Sequence, residues 1–499
     1  MRGILLAALA AALPLAAEPL CYVIDLADPQ QVIDHFGAND AWSFQKIGAW
    51  SEANKNRIAD LLYTTDKGIG LSFCRFQVGG GINHTSIKND WRTADTFEVA
   101  AGKYDWTRLP GERWFLRAAK ARGVQHFGMT IYSPPMRLTR NGLTNHGTDT
   151  TSSTNLKPGG ESSFAEYLTD MLVHFRDNPD AGERIEFDRI FPHNEPMWDW
   201  QGRQNQEGNR ASNEDIRRVH LALQSALRAE QLRTLIAGPE SGSIPGMYEL
   251  NAKALAKWHA EFGNYLKYFG DDAQLARGLG GVMTYHSYWS DRLAGQLVAH
   301  RQELGKALAA RPNWKLWQSE YCVMEWGRDL TIDTALRVAR VIHCDLTLAN
   351  ASSWQWWLAV ANEDFKSGLI YTDYQKPGDP ENILESKTLW ALGNFSRFIR
   401  PGMRRVGMRG GEQNVEGLMA SSYLDQPNKR VVTVFVNEGR TSCAVRLALA
   451  RGGRVAARPL IATPHTTSAR ENLAVGTTVD ATQGLEIPAR SVVTLVSVP

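Results

Sequence analysis

From about residue 35 to 400, short apolar runs of strand character alternate with amphipathic segments of helical period. No other feature of this chain restricts its fold as much. The runs lie at 35–43, 68–81, 124–135, 187–196, 234–241, 281–289, 315–322 and 352–359. Between them stand segments such as NKNRIADLLYTT, GERWFLRAAKARG and SSFAEYLTDMLVHF. Strand–helix repetition at this spacing requires parallel strands joined by crossover helices. Eight units is also the number that closes a (β/α)8 barrel. An open doubly wound sheet is the competing arrangement, but no Gly-rich dinucleotide fingerprint opens the first helix. Polar and aromatic residues gather at the C-terminal ends of nearly all eight runs, where a barrel builds its site.

The pattern changes after Pro401. Segments such as KRVVTVFVNEG, SCAVRLALA and GLEIPARSVVTLVSV show period-2 alternation, β-branched residues and Gly/Pro/Asn turns, the marks of an antiparallel β-sandwich. The stretch 18–34 also reads as strand, placed to join that sandwich. Residues 1–17 read as a secretory signal: Arg2 as n-region, an apolar h-region over 4–13, and the small pair Ala16 and Ala17 before Glu18. The apolar stretch is too short to span a bilayer comfortably, and a proline follows it at once. The expected organisation is therefore a signal (1–17), a joining strand (18–34), a catalytic barrel (35–400) and a sandwich (401–499). The expected destination is the periplasm or the exterior.

The 55 basic and 53 acidic residues give a net charge of +2, and no dense Lys/Arg run tracks phosphates, so nucleic acid is not an expected partner. No later segment is apolar enough to be a membrane helix. Five scattered cysteines form no CxxC pair or framework, although one bridge is allowed. No HExxH, clustered His/Cys set or GxSxG elbow points to a metal, cofactor or serine nucleophile.

Chemistry concentrates in two segments. Glu195 ends the fourth run in FPHNEPMWDW, and Glu320 ends the seventh in KLWQSEYC. Two carboxyls presented from strand ends suit cleavage of a glycosidic bond: one holds a proton for the leaving oxygen while the other meets developing positive charge. Asn194 stands where its amide can hold a sugar hydroxyl. Arg75, amid apolar residues of the second run, needs an anionic partner, and the Glu320 carboxylate is the expected one. In the sixth run Tyr288 is placed to donate to Glu320, and His286 to bind substrate or orient the acid. Asp40 and Trp42 end the first run and join the supporting set. Many of the 16 tryptophans fall at strand ends. Sugar rings stack on indoles, and Trp198, Trp289 and Trp354 are the expected platforms. Gly79–Gly81 reads as a tight strand exit and Ser133-Pro134-Pro135 as a rigid loop with room for a cis peptide.

In the order HFGANDAWS, GIGLSFCRFQVGGG, YSPP, NLKPGG, HNEP, TYHSYW, QSEY, a late WQWW and a closing IPARSVVTLV, the mature chain resembles glycoside hydrolase family 30. The resemblance implies a retaining mechanism, with Glu195 as acid/base and Glu320 as nucleophile. It also implies a carbohydrate polymer or oligosaccharide as partner. GANDAWSFQKIGAW with RFQVGGG is closest to the secreted bacterial members associated with endo-β-1,6-galactanase activity. A β-1,6-glucanase or xylanase is the alternative within the family. A non-catalytic carbohydrate-binding barrel is the alternative outside it.

Overall fold

A computed structural model describes residues 18–378, 380–410 and 417–498. The leader read over 1–17 lies outside them. Each of the eight runs contains a strand. After β1 (Leu20–Val32) come β2 (His35–Asn39), β3 (Phe73–Val78), β4 (His126–Ile131), β5 (Arg189–Phe191), β6 (Leu235–Ile236), β7 (Val282–His286), β8 (Lys315–Glu320) and β9 (Ser353–Ala361). Strands β2 to β9 pair in parallel in the order β6-β5-β4-β3-β2-β9-β8-β7. Between the two ends of that order, Thr284 N donates to the carbonyl of Gly238 at 3.0 Å and His286 N to that of Ser241 at 2.8 Å.

The longer helices that follow the strands are α1 (Glu52–Tyr63), α2 (Pro110–Ala121), α3 (Glu161–Arg176), α4 (Asn213–Ala229), α5 (Ala294–Ala309), α6 (Ile332–Thr347) and α7 (Lys387–Ser396), with a 3-10 turn and three short α-helices between β6 and β7. Local chemistry sets where they begin. Ser212 and Asp215 form a reciprocal capping box on α4, and the Thr331 hydroxyl accepts from Asp333 N at the start of α6.

Strand periodicity decides what faces inward. On β3, Cys74, Phe76 and Val78 join the main core cluster, to which the flanking helices contribute. Phe73 points the other way and packs with Phe191, Ala237, Val282 and Trp317 as an apolar layer contributed by five segments of the parallel sheet. Arg75, two residues further along β3, therefore emerges on the inner face above that layer, toward the C-terminal strand ends. Gly79, just past β3, is a close-approach glycine: a Cβ there would sit 2.1 Å from the Ala94 carbonyl oxygen. The cis peptide lies at Gly238–Pro239 rather than within Ser133-Pro134-Pro135.

The C-terminal strands β10 (Arg404–Arg409), β11 (Leu418–Asp425), β12 (Arg430–Asn437), β13 (Cys443–Arg451), β14 (Ile461–Thr467) and β15 (Ser491–Val498) form a second sheet with β1, in the order β13-β1-β10-β11-β12-β15-β14. It is not wholly antiparallel as expected. β1 runs antiparallel to β10 but parallel to β13, because the early strand enters the sheet between two late ones. Alternation divides its side chains: Val431, Phe435, Val493 and Leu495 fill the sheet's own core, while Val432, Val434, Val436 and Val492 belong to the main core, on the side of α6 and α7. All five cysteines are free, three of them buried.

Candidate active site

Short strands make the site. β5 stops at Phe191 and β6 at Ile236, so the remainder of each run is irregular backbone at the C-terminal end of the sheet. Glu195 and Glu240 both take left-handed backbone there (φ 43° and 59°), and Glu195 N donates to the Glu240 carbonyl at 3.0 Å. Trp200 Nε1 donates to the Glu195 carbonyl at 2.8 Å. His286 ends β7 and Glu320 ends β8.

These side chains converge. His286 Nδ1 lies 3.0 Å from Glu195 Oε1 and 3.5 Å from Glu320 Oε1, and its Nε2 lies 3.2 Å from Glu240 Oε2. The Tyr288 hydroxyl donates to Glu320 Oε1 at 3.0 Å. Arg75 Nη2 donates to Glu240 Oε2 at 2.6 Å, and the Ser319 hydroxyl to Glu240 Oε1 at 2.6 Å. Arg75 Nη1 is 3.9 Å from Glu320 Oε2, an oxygen with no hydrogen-bond donor among the described residues. Asn194 is buried in the cleft wall, and its Oδ1 has no partner among the described residues.

The electrostatics follow from burial set against charge. Burial alone would raise Glu240, but Arg75 and then His286 and Ser319 outweigh it and hold the carboxyl down to about 2. Burial alone would strip the proton from His286, yet Glu320, Glu195 and Glu240 surround it and raise it to about 10. Burial pushes Glu320 up to about 7 against the pull of His286 and Arg75. Burial and the adjacent Glu320 push the Tyr288 hydroxyl well up, so it donates as a neutral phenol.

Glu195, Asn194, Tyr288 and Glu320 open onto a cleft of about 660 Å³, lined also by Trp42, Trp198, Trp289, Trp326 and Trp357. Trp198 is half-buried, Trp289 is 47% exposed and Trp326 77%. Glu195, His286 and Glu320 each place a donor atom within 4.8 Å of the others, a spacing that could suit a metal ion. Both imidazole nitrogens are engaged by carboxylates, however, and the ring holds its proton, so the trio is built for proton chemistry rather than ligation.

The profile of O-glycosyl hydrolase family 30 matches residues 19–371. The chain belongs to glycoside hydrolase family 30. It is accordingly a glycoside hydrolase, and its substrates are carbohydrates. A conserved exported protein from Bacteroides fragilis is similar at 31% identity and a TM-score of 0.84, over 95% of this chain and 100% of that one. The catalytic domain of a family 30 xylanase C from Talaromyces cellulolyticus shares the fold at 20% identity and a TM-score of 0.67, over 96% and 100% of the two chains. An endo-β1,6-glucanase does so at 16% identity and a TM-score of 0.68, over 96% and 94%.

Three sequence expectations for this family 30 chain need correction. Arg75 is held chiefly by Glu240, with Glu320 a more distant neighbour. Trp354 is no platform: it is fully buried, and its Nε1 donates to Asp345 on α6 at 2.9 Å. On the same strand it is half-buried Trp357 that reaches the cleft. Asp40 stays out of the cleft, accepting from Gln77 N at 2.7 Å, and burial and then Glu112 push its carboxyl well up. Trp42 does line the cleft, with the Arg92 guanidinium 4.7 Å over its ring and Arg92 paired to Glu363. Glu240 went unrecognised in the sequence. Position was its one signal: it closes the fifth run in TLIAGPES as Glu195 and Glu320 close theirs, but without their distinctive neighbours.

Proposed function

We propose that this family 30 chain is an exported retaining β-glycosidase acting within a polysaccharide, with β-1,6-galactan as its substrate. The observation that carries the mechanism is the approach of Glu195 and Glu320, which have carboxylate oxygens within 4.8 Å of each other in a Trp-lined cleft. Retaining enzymes keep their carboxyls about 5–5.5 Å apart, whereas inverting ones leave room for a water between them. Glu195 gives its proton to the glycosidic oxygen while a Glu320 oxygen attacks the anomeric carbon; the C–O bond to the leaving sugar breaks and a glycosyl ester forms. Glu195, now ionised, takes a proton from water, which attacks the same carbon and releases Glu320 as carboxylate. Tyr288 and His286 hold the nucleophile during both steps, and Asn194, with its free buried Oδ1, is the residue offered to a sugar hydroxyl.

The frame is read as a closed (β/α)8 barrel with an attached β-sandwich. The hydrogen bonds between the Gly238–Ser241 segment and β7 support closure, and the internal core of the second sheet supports the sandwich. Export is supported by the leader pattern and by the similar Bacteroides fragilis protein described as exported. The galactan reading rests on the wording GANDAWSFQKIGAW with RFQVGGG, and action within the chain rests on an indole-lined cleft large enough for several sugar rings.

Two measurements test this. Glu320→Ala abolishes hydrolysis, and added azide restores cleavage with an α-glycosyl azide as product. Glu195→Ala with azide yields the β-glycosyl azide, because azide then meets the glycosyl-enzyme. Undiminished turnover in Glu320→Ala refutes the mechanism and a catalytic reading of the cleft. Side-by-side assay of β-1,6-galactan, β-1,6-glucan and glucuronoxylan tests the substrate, and faster cleavage of either of the last two overturns it.

A further inference from the structure

Glu240 does not line the cleft, yet both oxygens of its carboxylate are bonded beneath it. It is fully buried, accepts from Arg75, Ser319 and His286, and its backbone holds Glu195 through the carbonyl and β7 through Thr284 Oγ1. We propose that Glu240 is a positioning residue of the reaction: its carboxylate is the fixed counter-ion of Arg75 and His286, and its presence is what leaves one proton resident on Glu195 while Glu320 is ionised.

Charge count is the core of the case. Two cations, Arg75 and His286, face three carboxyls, Glu195, Glu240 and Glu320, within 4 Å contacts. Buried sites resist net charge, and this one is neutral when a single carboxyl carries a proton. Glu240 cannot be that carboxyl, because both its oxygens already accept from donors at 2.6 Å. Of the two others, Glu320 accepts from Tyr288 and neighbours Arg75, whereas Glu195 has His286 alone. The roles proposed above place that proton on Glu195, where a leaving-group acid needs it. If Glu240 is removed, two cations face two carboxyls, and the site is neutral without the proton that the leaving group needs. Further neighbours are Thr130 on Arg75, the Asp40 carboxyl, the phenols Tyr132 and Tyr288, and the thiol Cys322; burial pushes all four titratable groups toward their neutral forms, so none of them replaces the lost charge.

The inference rests on the reading of Glu195 as the acid, and its test separates the two. In Glu240→Gln, the alkaline limb of kcat/KM for an aryl glycoside with a poor leaving group should move down by about 1–3 pH units, the usual effect of removing one nearby charge. A dinitrophenyl glycoside, whose departure needs no proton, should lose far less rate in the same variant. An unmoved alkaline limb, or equal loss on both substrates, overturns the proposal. A second reading needs no variant. In the wild-type protein ¹⁵N-imidazole NMR should report His286 as an imidazolium at pH 7, and a neutral ring there overturns it too. The NMR result does not depend on turnover, whereas failure of Glu195 as acid would appear in the azide experiments.

Discussion

Replacing Tyr288 by phenylalanine removes one hydroxyl and leaves the ring in its buried place, so its effect can be worked out from contacts around Glu320. Oε1 of that carboxylate has the Tyr288 hydroxyl at 3.0 Å and His286 at 3.5 Å, while Oε2 has only Arg75 at 3.9 Å. The phenol is thus, among the described residues, the one well-formed hydrogen bond that Glu320, the proposed nucleophile, accepts. Hydrogen bonds to charged groups contribute about 1.5–3 kcal/mol, and ~1.4 kcal/mol corresponds to one unit of pKa. A neutral donor favours the ionised carboxylate, so its loss raises Glu320 above the value of about 7 that burial already imposes. The acid limb of kcat/KM should therefore move up by about one to two pH units. Below the wild-type limb the variant should be slower by roughly 10- to 100-fold. Initial rates on an aryl glycoside across the pH range, with a melting curve as folding control, make the measurement. A uniform loss at every pH with the limb in place would refute this account, because it would mean that the hydroxyl does not govern ionisation of the nucleophile.

Trp198→Ala and Trp289→Ala should each raise KM by roughly 2- to 10-fold through lost stacking of about 0.5–1.5 kcal/mol, with little change in melting temperature, read by kinetics on an oligosaccharide. Trp354→Phe should do the reverse, lowering the melting temperature through the lost bond to buried Asp345 while KM stays unchanged. Stability should also depend on pH in two opposite ways. His286, raised to about 10, contributes stability that is complete below its ordinary value and is lost as pH climbs toward 10. Glu240, lowered to about 2, contributes stability present above the ordinary carboxyl range and lost as pH falls toward 2. Thermal melts from pH 3 to 10 should show both losses, and His286→Asn should remove the alkaline one.

Much of the scaffold could be read from residues because strand and helix periods differ and the eight runs are well separated. Glu195 and Glu320 were legible because each closes a run beside distinctive neighbours. Glu240 was not, because a glutamate after Gly-Pro looks like any loop acid until β7 is known to pack His286 against it. Arg75 shows a different limit. Burial announces that a guanidinium needs an anion, but not which of two carboxylates lies at 2.6 Å and which at 3.9 Å. Trp354 failed on parity. In SWQWWLA the indoles at 354 and 356 share one face, turned to the helices, and only the register of β9 against β8 and β2 fixes which face that is. The interruption of pairing between Trp356 and Leu358 further offsets the strand, which a count of alternate residues would miss.

The place of β1 also governs how this molecule can be made and cut. The first described strand is an interior member of the second sheet, flanked by β10 and β13, with Val23 opposite Arg409 on one side and Ala448 on the other. A ribosome therefore delivers β1 long before its partners β10 and β13, and β1 cannot pair in its sheet until the residues between them have been synthesised. A fragment starting at residue 401 would carry a gap in the middle of its sheet with two unpaired edges, a ready template for pairing with another chain. The second sheet is thus a clasp closed by both ends of the catalytic region rather than a module that can be removed.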